Sequence, residues 1–214
     1  SYFIFIITFF CISSSTYAFD KEITLEFKAA DILTIKGTIK NIPPKYSSNY
    51  IHLYSFYGNE LSKVVSTSLN KQGGFVFKLK DTLKQGLYKI GLDKQNAATI
   101  VLGKETDIYV TSDYGLLKSN VLYVANSPEN EAYKKLLSLC NRMQKKMIKI
   151  NDLKNKISKN DPFIKQKLNV IDENIRGFIQ DYNVDLFTIQ ANYPETFTSE
   201  ALIKLSLLPQ LIDF

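Results

Sequence analysis

The chain has 214 residues, of which 45% are hydrophobic and 22% charged, and a formal net charge of +6 at pH 7. This is the composition of a globular chain with one or two domains, long enough to bury a sizeable core without the help of disulfides. With 13 Tyr, 14 Phe and no Trp, the composition favours strand-rich structure.

The N-terminal residues 1–18 have the pattern of a secretory signal peptide. Residues 2–12 are almost entirely apolar, small residues follow as far as Ala18, and the first charge is Asp20. The apolar run is too short to span a bilayer comfortably as a helix. We therefore expect export to the periplasm or cell envelope, with cleavage after Ala18. The basic start of a signal peptide is missing, so we take the sequence to begin inside its reading frame.

The two cysteines do not indicate redox chemistry in this chain. Phe10 and Thr8 precede Cys11 at positions where lipoprotein processing needs a small residue and usually Leu, so lipidation is not expected. Cleavage after Ala18 leaves Cys140 as the one thiol, which forms neither an intrachain disulfide nor a C-x-x-C pair. In an oxidising compartment such a thiol is buried or pairs with another chain.

Residues 19–125 predict an antiparallel β-sandwich domain. Short alternating or apolar runs are separated by turn signals about every ten residues, with no helical period between them. The turn at Gln72-Gly73-Gly74 is of the hairpin type. The predicted strands lie at residues 23–28, 32–40, 50–57, 61–69, 75–79, 87–92, 98–102, 106–111 and 121–124.

No catalytic, metal or cofactor site is predicted. His52 is the only histidine and has no nearby Cys or pair of acids, so we interpret it as a strand residue rather than a metal ligand. The turn at Gly73 leads into a strand, which excludes a phosphate-binding loop ahead of a helix. Neither a Ser–His–Asp set nor paired carboxylates are visible, so we do not expect this chain to be an enzyme by itself.

Residues 126–214 predict a helical segment. Ser127 is a candidate cap for a first helix at 129–157, and Asp161 opens a second helix at 162–182 in the same way. Two long amphipathic helices joined by a short loop form an antiparallel hairpin.

Each predicted helix carries one apolar stripe. The residues expected to face each other are Leu136, Cys140, Met143, Met147, Ile150 and Leu153 on the first helix, and Ile164, Leu168, Ile171, Ile175 and Phe178 on the second. Cys140 lies within its stripe, which favours core packing over a reactive thiol. A third, shorter helix is predicted at residues 198–208.

Charge is segregated along the helical segment. Residues 132–168 carry 11 basic and 2 acidic residues, whereas residues 169–214 carry 2 basic and 7 acidic residues. We interpret the basic stretch as paired within the chain or solvated, with an anionic membrane or other anionic partner as the alternative. Nucleic acid is not expected, because export is expected and Arg142 is the only Arg in the Lys-rich stretch 132–168. Membrane association is not expected after signal cleavage.

The order of the elements resembles a known arrangement. A signal peptide precedes a β-domain with a Gly-Gly-Phe-Val-Phe turn at 73–77 and a Gly-Leu-Tyr-Lys-Ile-Gly-Leu strand at 86–92. Asn-Ser-Pro-Glu-Asn-Glu-Ala-Tyr at 126–133 then opens the helices, and Tyr-Pro-Glu-Thr-Phe follows at 193–197. This order resembles the N-terminal region of envelope thiol–disulfide oxidoreductases of the AhpC/TSA and TlpA/ResA type.

The resemblance implies a non-catalytic accessory domain. In those proteins a thioredoxin module with its C-x-x-C follows the helical spacer, so the expected partner is such a module in the same parent chain. The present sequence ends at Phe214, before such a module, and none of its residues inherits a redox role. A homodimer is left open. The alternative hypothesis is a stand-alone envelope β-sandwich that binds a ligand or acts in adhesion.

Overall fold

A computed structural model describes residues 33–206, except 45, 47–48, 59, 80–82 and 159. The expected signal peptide and the first predicted strand, at 23–28, lie outside the described residues. Strands fill the first half of the described part and helices the second, which confirms the predicted α+β class. The chain divides into two compact units, and the division falls between Glu131 and Ala132.

Most strands and the first long helix begin and end within a few residues of the predicted positions, whereas the short helix at 114–118 was not predicted and the second long helix ends later than predicted. The strands are β1 (Leu33–Lys40), β2 (Tyr50–Tyr57), β3 (Glu60–Ser68), β4 (Gly74–Leu79), β5 (Gly86–Gly91), β6 (Ala97–Leu102), β7 (Asp107–Asp113) and β8 (Tyr123–Ala125). The α-helices are α1 (Tyr114–Lys118), α2 (Pro128–Asn155), α3 (Ile164–Asn192) and α4 (Ile203–Ser206), the last preceded by a π-helical turn at Thr198–Leu202.

The β unit is a sandwich of two four-stranded sheets with the orders β4-β1-β7-β8 and β3-β2-β5-β6. The pairs are antiparallel except β1 with β7, which run parallel. The prediction of an antiparallel sandwich therefore needs correction at this pair. Parallel neighbours require a long connection, and here the connection contains five other strands, so no local turn signal announces the pairing.

One apolar core lies between the two sheets. Alternation places every second side chain of β1, β4 and β7 on the inner face. The fully buried large residues include Ile35, Ile39, Phe77 and Ile108 from one sheet and Ile51, Leu53, Ile90, Ile100 and Leu102 from the other.

The turn at Gln72-Gly73-Gly74 does not close a hairpin, contrary to the prediction. It connects β3 in one sheet to β4 in the other. The Asn70 side-chain oxygen accepts hydrogen bonds from the backbone N–H groups of Gln72 (2.9 Å) and Gly74 (2.7 Å). Gly73 has φ +77°, and a Cβ there would lie 2.0 Å from the Ile39 carbonyl oxygen. The turn chemistry was thus identified correctly, but it carries no information on which strand pairs with β4.

Strand β6 is the edge of its sheet, and two Asn side chains cover its outer side. Asn130 accepts a hydrogen bond from the Val101 N–H (2.9 Å) and donates one to the Val101 carbonyl (2.7 Å). Asn120 accepts from the Thr99 N–H (2.8 Å). These bonds replace those that a further strand would make, so the edge is closed to pairing.

The start of α2 is held by the β unit. Ser127 caps the helix as predicted, since its Oγ accepts a hydrogen bond from the Asn130 N–H (3.1 Å). The Glu105 carboxylate accepts from the Ser127 hydroxyl (2.7 Å) and from the Glu129 N–H (3.1 Å). Two of the N–H groups that lack partners inside a helix are therefore satisfied, and a negative charge lies where the helix dipole favours it.

In the helical unit, α2 and α3 form the predicted antiparallel hairpin. Lys135 lies over the Tyr193 ring (4.9 Å to its centroid), near the start of α2 and the end of α3, and Lys146 lies over Phe178 (4.2 Å) further along. The buried core consists of Ala132, Leu136, Leu139, Met143, Met147 and Ile150 from α2, Ile179, Tyr182, Leu186 and Ile189 from α3, and Ile203 from α4.

The predicted stripe was right for most of α2, and on α3 Ile171, Ile175 and Phe178 pack against the core in partly buried positions, as predicted. Leu153, which we expected in the core, is 57% exposed. Helix α3 continues ten residues past the predicted end at Tyr182, and its most buried residues lie in that later half. The segment 198–206 packs on α3, so a third element deepens the core at that end of the hairpin, whereas toward the loop two helices alone shield each other.

The covering of the β6 edge leads to a first prediction. Asn130→Ala should lower the free energy of unfolding by about 2–5 kcal/mol, because two backbone groups of buried Val101 lose their partners. Asn120→Gly should cost less than about 1 kcal/mol, because the Thr99 N–H lies in an exposed region and glycine accepts the φ of +58° at this position. Urea denaturation followed by circular dichroism measures both losses of stability. Equal losses would contradict the larger contribution expected from the hydrogen bonds to Val101.

The difference in burial along the helical hairpin gives a second prediction, with two leucines as a matched pair. Leu186→Ala should destabilise the helical unit by about 2–5 kcal/mol, because Leu186 is fully buried. Leu153→Ala should change stability by less than about 0.5 kcal/mol, because that side chain is mostly in water. Thermal unfolding at 222 nm tests the pair, and a larger effect at Leu153 would contradict the observed packing.

Candidate functional site

The thiol of Cys140 lies at the interface of the two long helices. Its Sγ is 3.4 Å from the Tyr182 hydroxyl, and the side chain is half-buried. Tyr133 lies on the same helix, and burial, with a smaller contribution from the nearby Cys140, raises the pKa of Tyr133 to about 12. The phenol of Tyr133 therefore stays neutral at pH 7.

His52 lies on β2, as predicted, and faces polar neighbours on the adjacent strand. Its Nδ1 is 2.7 Å from the Ser66 hydroxyl. Burial and the positive charge of Lys63 lower the pKa of His52, and the opposing effect of Asp93 is smaller. The imidazole is therefore neutral near pH 7. Among the described residues, no group of three or more His, Cys, Asp or Glu side chains could hold a metal ion.

Asp93 closes the turn between β5 and β6 and holds a preceding loop. Its carboxylate accepts hydrogen bonds from the Tyr46 hydroxyl (2.5 Å), from the N–H groups of Gln95 and Asn96, and from the Asn96 side chain. Burial alone would raise the pKa of Asp93, but these hydrogen bonds outweigh burial and lower it. Burial and the bond to Asp93 raise the pKa of Tyr46. The carboxylate is fully engaged, so we interpret this cluster as structural.

A groove runs between α2 and α3. Its buried lining is apolar and consists of Leu139, Met143 and Tyr182. Arg142 and Lys146 border it on α2, and Asp181 and Asp185 border it on α3. Arg142 forms an ion pair with Asp185, in which both side chains are about half exposed, so the pair contributes about 0–1 kcal/mol. Because two positive and two negative side chains border the groove, it does not favour a ligand of either charge.

The outward side of α2 differs, because its charges are all of one sign. We call this surface the basic face; it is lined by Lys134, Leu137, Ser138, Asn141, Arg142, Lys145, Lys146 and Lys149. Ser138 and Asn141 are short, so they leave a depression between the longer lysines. Cations around a depression with hydroxyl and amide groups suit phosphate or carboxylate oxygens. The basic face is therefore the candidate functional site.

Sequence reasoning found the charge of the basic face but not its shape. The excess of lysines was evident, and we interpreted it as paired or solvated. The depression depends on Ser138 and Asn141 standing on the same side of the helix as Lys134, Lys145 and Lys149. That arrangement follows from the helical period of 3.6 residues, and the polar spacing was a signal available in the sequence.

Comparisons with protein-family models, with curated proteins and with solved structures find no match for this chain. Within the described part of the chain, the helices do not combine the length and apolar character that crossing a membrane requires.

The Asp93 cluster gives a third prediction. A carboxyl whose folded-state pKa is lowered adds stability above its unfolded pKa of about 3.9, and that stability is lost as pH falls through the folded value. Asp93→Asn should therefore cost about 1 kcal/mol at pH 7, after allowance for solvent screening, and progressively less below about pH 4. Asp107→Asn, which breaks only the exposed pair with Lys36, is the control. Urea titrations across this pH range measure both, and a pH-independent loss for Asp93→Asn would contradict the assignment.

Proposed function

We propose that this chain is the non-catalytic N-terminal part of an exported thioredoxin-like thiol–disulfide oxidoreductase. The observation that carries the proposal is the division into a β unit followed by a helical unit, in the order of the β-domain and helical spacer that the sequence resembles. The role of the chain is to support and position a catalytic module, and the chemistry belongs to that module.

The hairpin geometry suggests how the spacer acts. Each long helix is about 42 Å in length, but α3 runs back along α2, so that Tyr193 lies beside Lys135. A chain that continues from the hairpin therefore starts again near the beginning of α2. The spacer adds little reach, and we infer that it presents a surface to the following module rather than a long arm.

The position of Cys140 supports a non-catalytic role. Turnover of a dithiol enzyme needs a second thiol that resolves the mixed disulfide. Cys140 contacts Tyr182 between two helices and is the one cysteine in the described residues. A thiol held in this way serves packing.

A second candidate is a stand-alone envelope β-sandwich that binds a ligand or acts in adhesion. Exposed tyrosines at both ends of β2 favour it, since Tyr57 is 80% exposed and Tyr50 is also mostly in water. Aromatic side chains of this kind are common at binding surfaces. The genomic sequence beyond the codon for Phe214 separates the two candidates: a thioredoxin-like reading frame with C-x-x-C supports the first, and a stop codon supports the second.

The fourth prediction concerns activity. The purified chain should show no insulin reduction above background, because its thiol cannot form the intramolecular disulfide that turnover requires. Cys140→Ser should leave that background unchanged, whereas joining the chain to its downstream thioredoxin module should restore activity. Clear reduction by the chain alone, abolished in Cys140→Ser, would overturn the accessory role.

A further inference from the structure

The basic face of α2 carries unbalanced charge. Arg142 is paired with Asp185, but Lys134, Lys145 and Lys149 form no ion pair or hydrogen bond within the described residues. Lys145 and Lys149 stand four positions apart, a spacing at which like charges destabilise a helix. Two carboxylates stand on the same side of the helix, Glu131 before Lys134 and Asp152 after Lys149, so the unbalanced charge lies between them.

The basic face is long and carries a few aliphatic side chains beside its lysines. From Lys134 to Lys149 it extends about 22 Å along one uninterrupted helix. Leu137 and Ile148 flank the lysines, and Ile148 is 52% exposed. A helix that lies flat on a bilayer has this composition, with Lys toward the head groups and a few aliphatic side chains at the acyl boundary.

Other anionic partners fit less well. Protein interfaces concentrate their energy in aromatic and Arg residues, whereas the centre of this face is Ser138 and Asn141. Single-stranded nucleic acid is bound by stacking on aromatic rings, and the lining of the face includes none. Lysines act as point charges without a fixed geometry, which suits a fluid layer of phosphates.

We propose that the basic face of α2 binds the surface of a bilayer rich in anionic phospholipid, peripherally and without insertion of a helix. The lysines attract the phosphate head groups, the depression at Ser138 and Asn141 admits one of them, and Ile148 contacts the acyl boundary. This surface departs from the expectation that the mature protein is independent of membranes. This membrane-binding role is inferred from the residues of α2 alone and does not rest on the proposed function.

The test is flotation of the exported protein with vesicles of phosphatidylcholine, or of phosphatidylcholine with about one third phosphatidylglycerol. Binding should require phosphatidylglycerol and should be lost at about 0.5 M salt. Binding to phosphatidylcholine alone gives the background that does not depend on anionic lipid. The combined change Lys134→Gln, Lys145→Gln and Lys149→Gln should lower the partition coefficient about a hundredfold, since each lysine near an anionic surface contributes about a factor of five.

Matched variants separate this face from overall charge. Lys71→Gln, Lys78→Gln and Lys118→Gln together remove the same charge from exposed positions of the β unit and should leave binding within about twofold. Ile148→Asn should weaken binding several-fold, whereas Val170→Asn on α3, at a matched exposure of 53%, should not. Circular dichroism verifies that each variant is folded.

The outcomes that would overturn the proposal are specific. Equal binding to both vesicle types, or equal loss in the two triple variants, would mean that the basic face does not recognise anionic lipid. Absence of vesicle binding together with salt-sensitive binding to duplex DNA or polyglutamate would assign the face to a different polyanion and likewise reject the bilayer.

Discussion

The edge of strand β6 is the constraint on which the β unit depends. A buried edge leaves backbone N–H and C=O groups without partners, and each such group is costly unless something bonds to it. Asn130 satisfies both groups of Val101 at once, and it does so from the first turn of α2. The residue that closes the sheet is therefore also one that places the start of the helix. The β unit includes this first turn and ends at Glu131.

The helical unit is stabilised differently, because each of its two long helices has only one apolar stripe to bury. Isolated amphipathic helices are marginal in water, so a hairpin gains stability where further apolar surface covers it. Here Ile203 joins the core near Leu186 and Leu136, and the deepest burial lies at that end. Toward the loop, Leu153 and Phe163 remain exposed, since no third element covers them within the described residues. The helical period of the apolar residues determines where the stripes lie. The segment 198–206 determines which part of each stripe is most buried.

Most of the fold could be predicted from the sequence, for reasons that are local. Alternation in β1 and β4 and the cap at Ser127 are properties of a few neighbouring residues, and their strands and helix begin within one or two positions of the prediction. The parallel pairing of β1 with β7 and the bonds of Asn130 to Val101 join residues far apart in sequence. Nothing in a short window distinguishes Asn130 from an ordinary residue of a first helical turn, so such contacts were not predictable.

The same distinction between local and distant contacts explains why the charge of the candidate site could be predicted from the sequence but its lack of partners in the chain could not. The charge of residues 132–168 was counted correctly, but pairing within the chain depends on which side of α2 faces α3. The acids of α3 reach Arg142, which stands at the rim of the groove, and not the lysines on the outward side. Even complete pairing with the 7 acidic residues of 169–214 would leave an excess among the 11 basic residues of 132–168. The positive potential of α2 is therefore a property of the helix itself, and its neutralisation must come from solvent ions or from an anionic surface outside the chain.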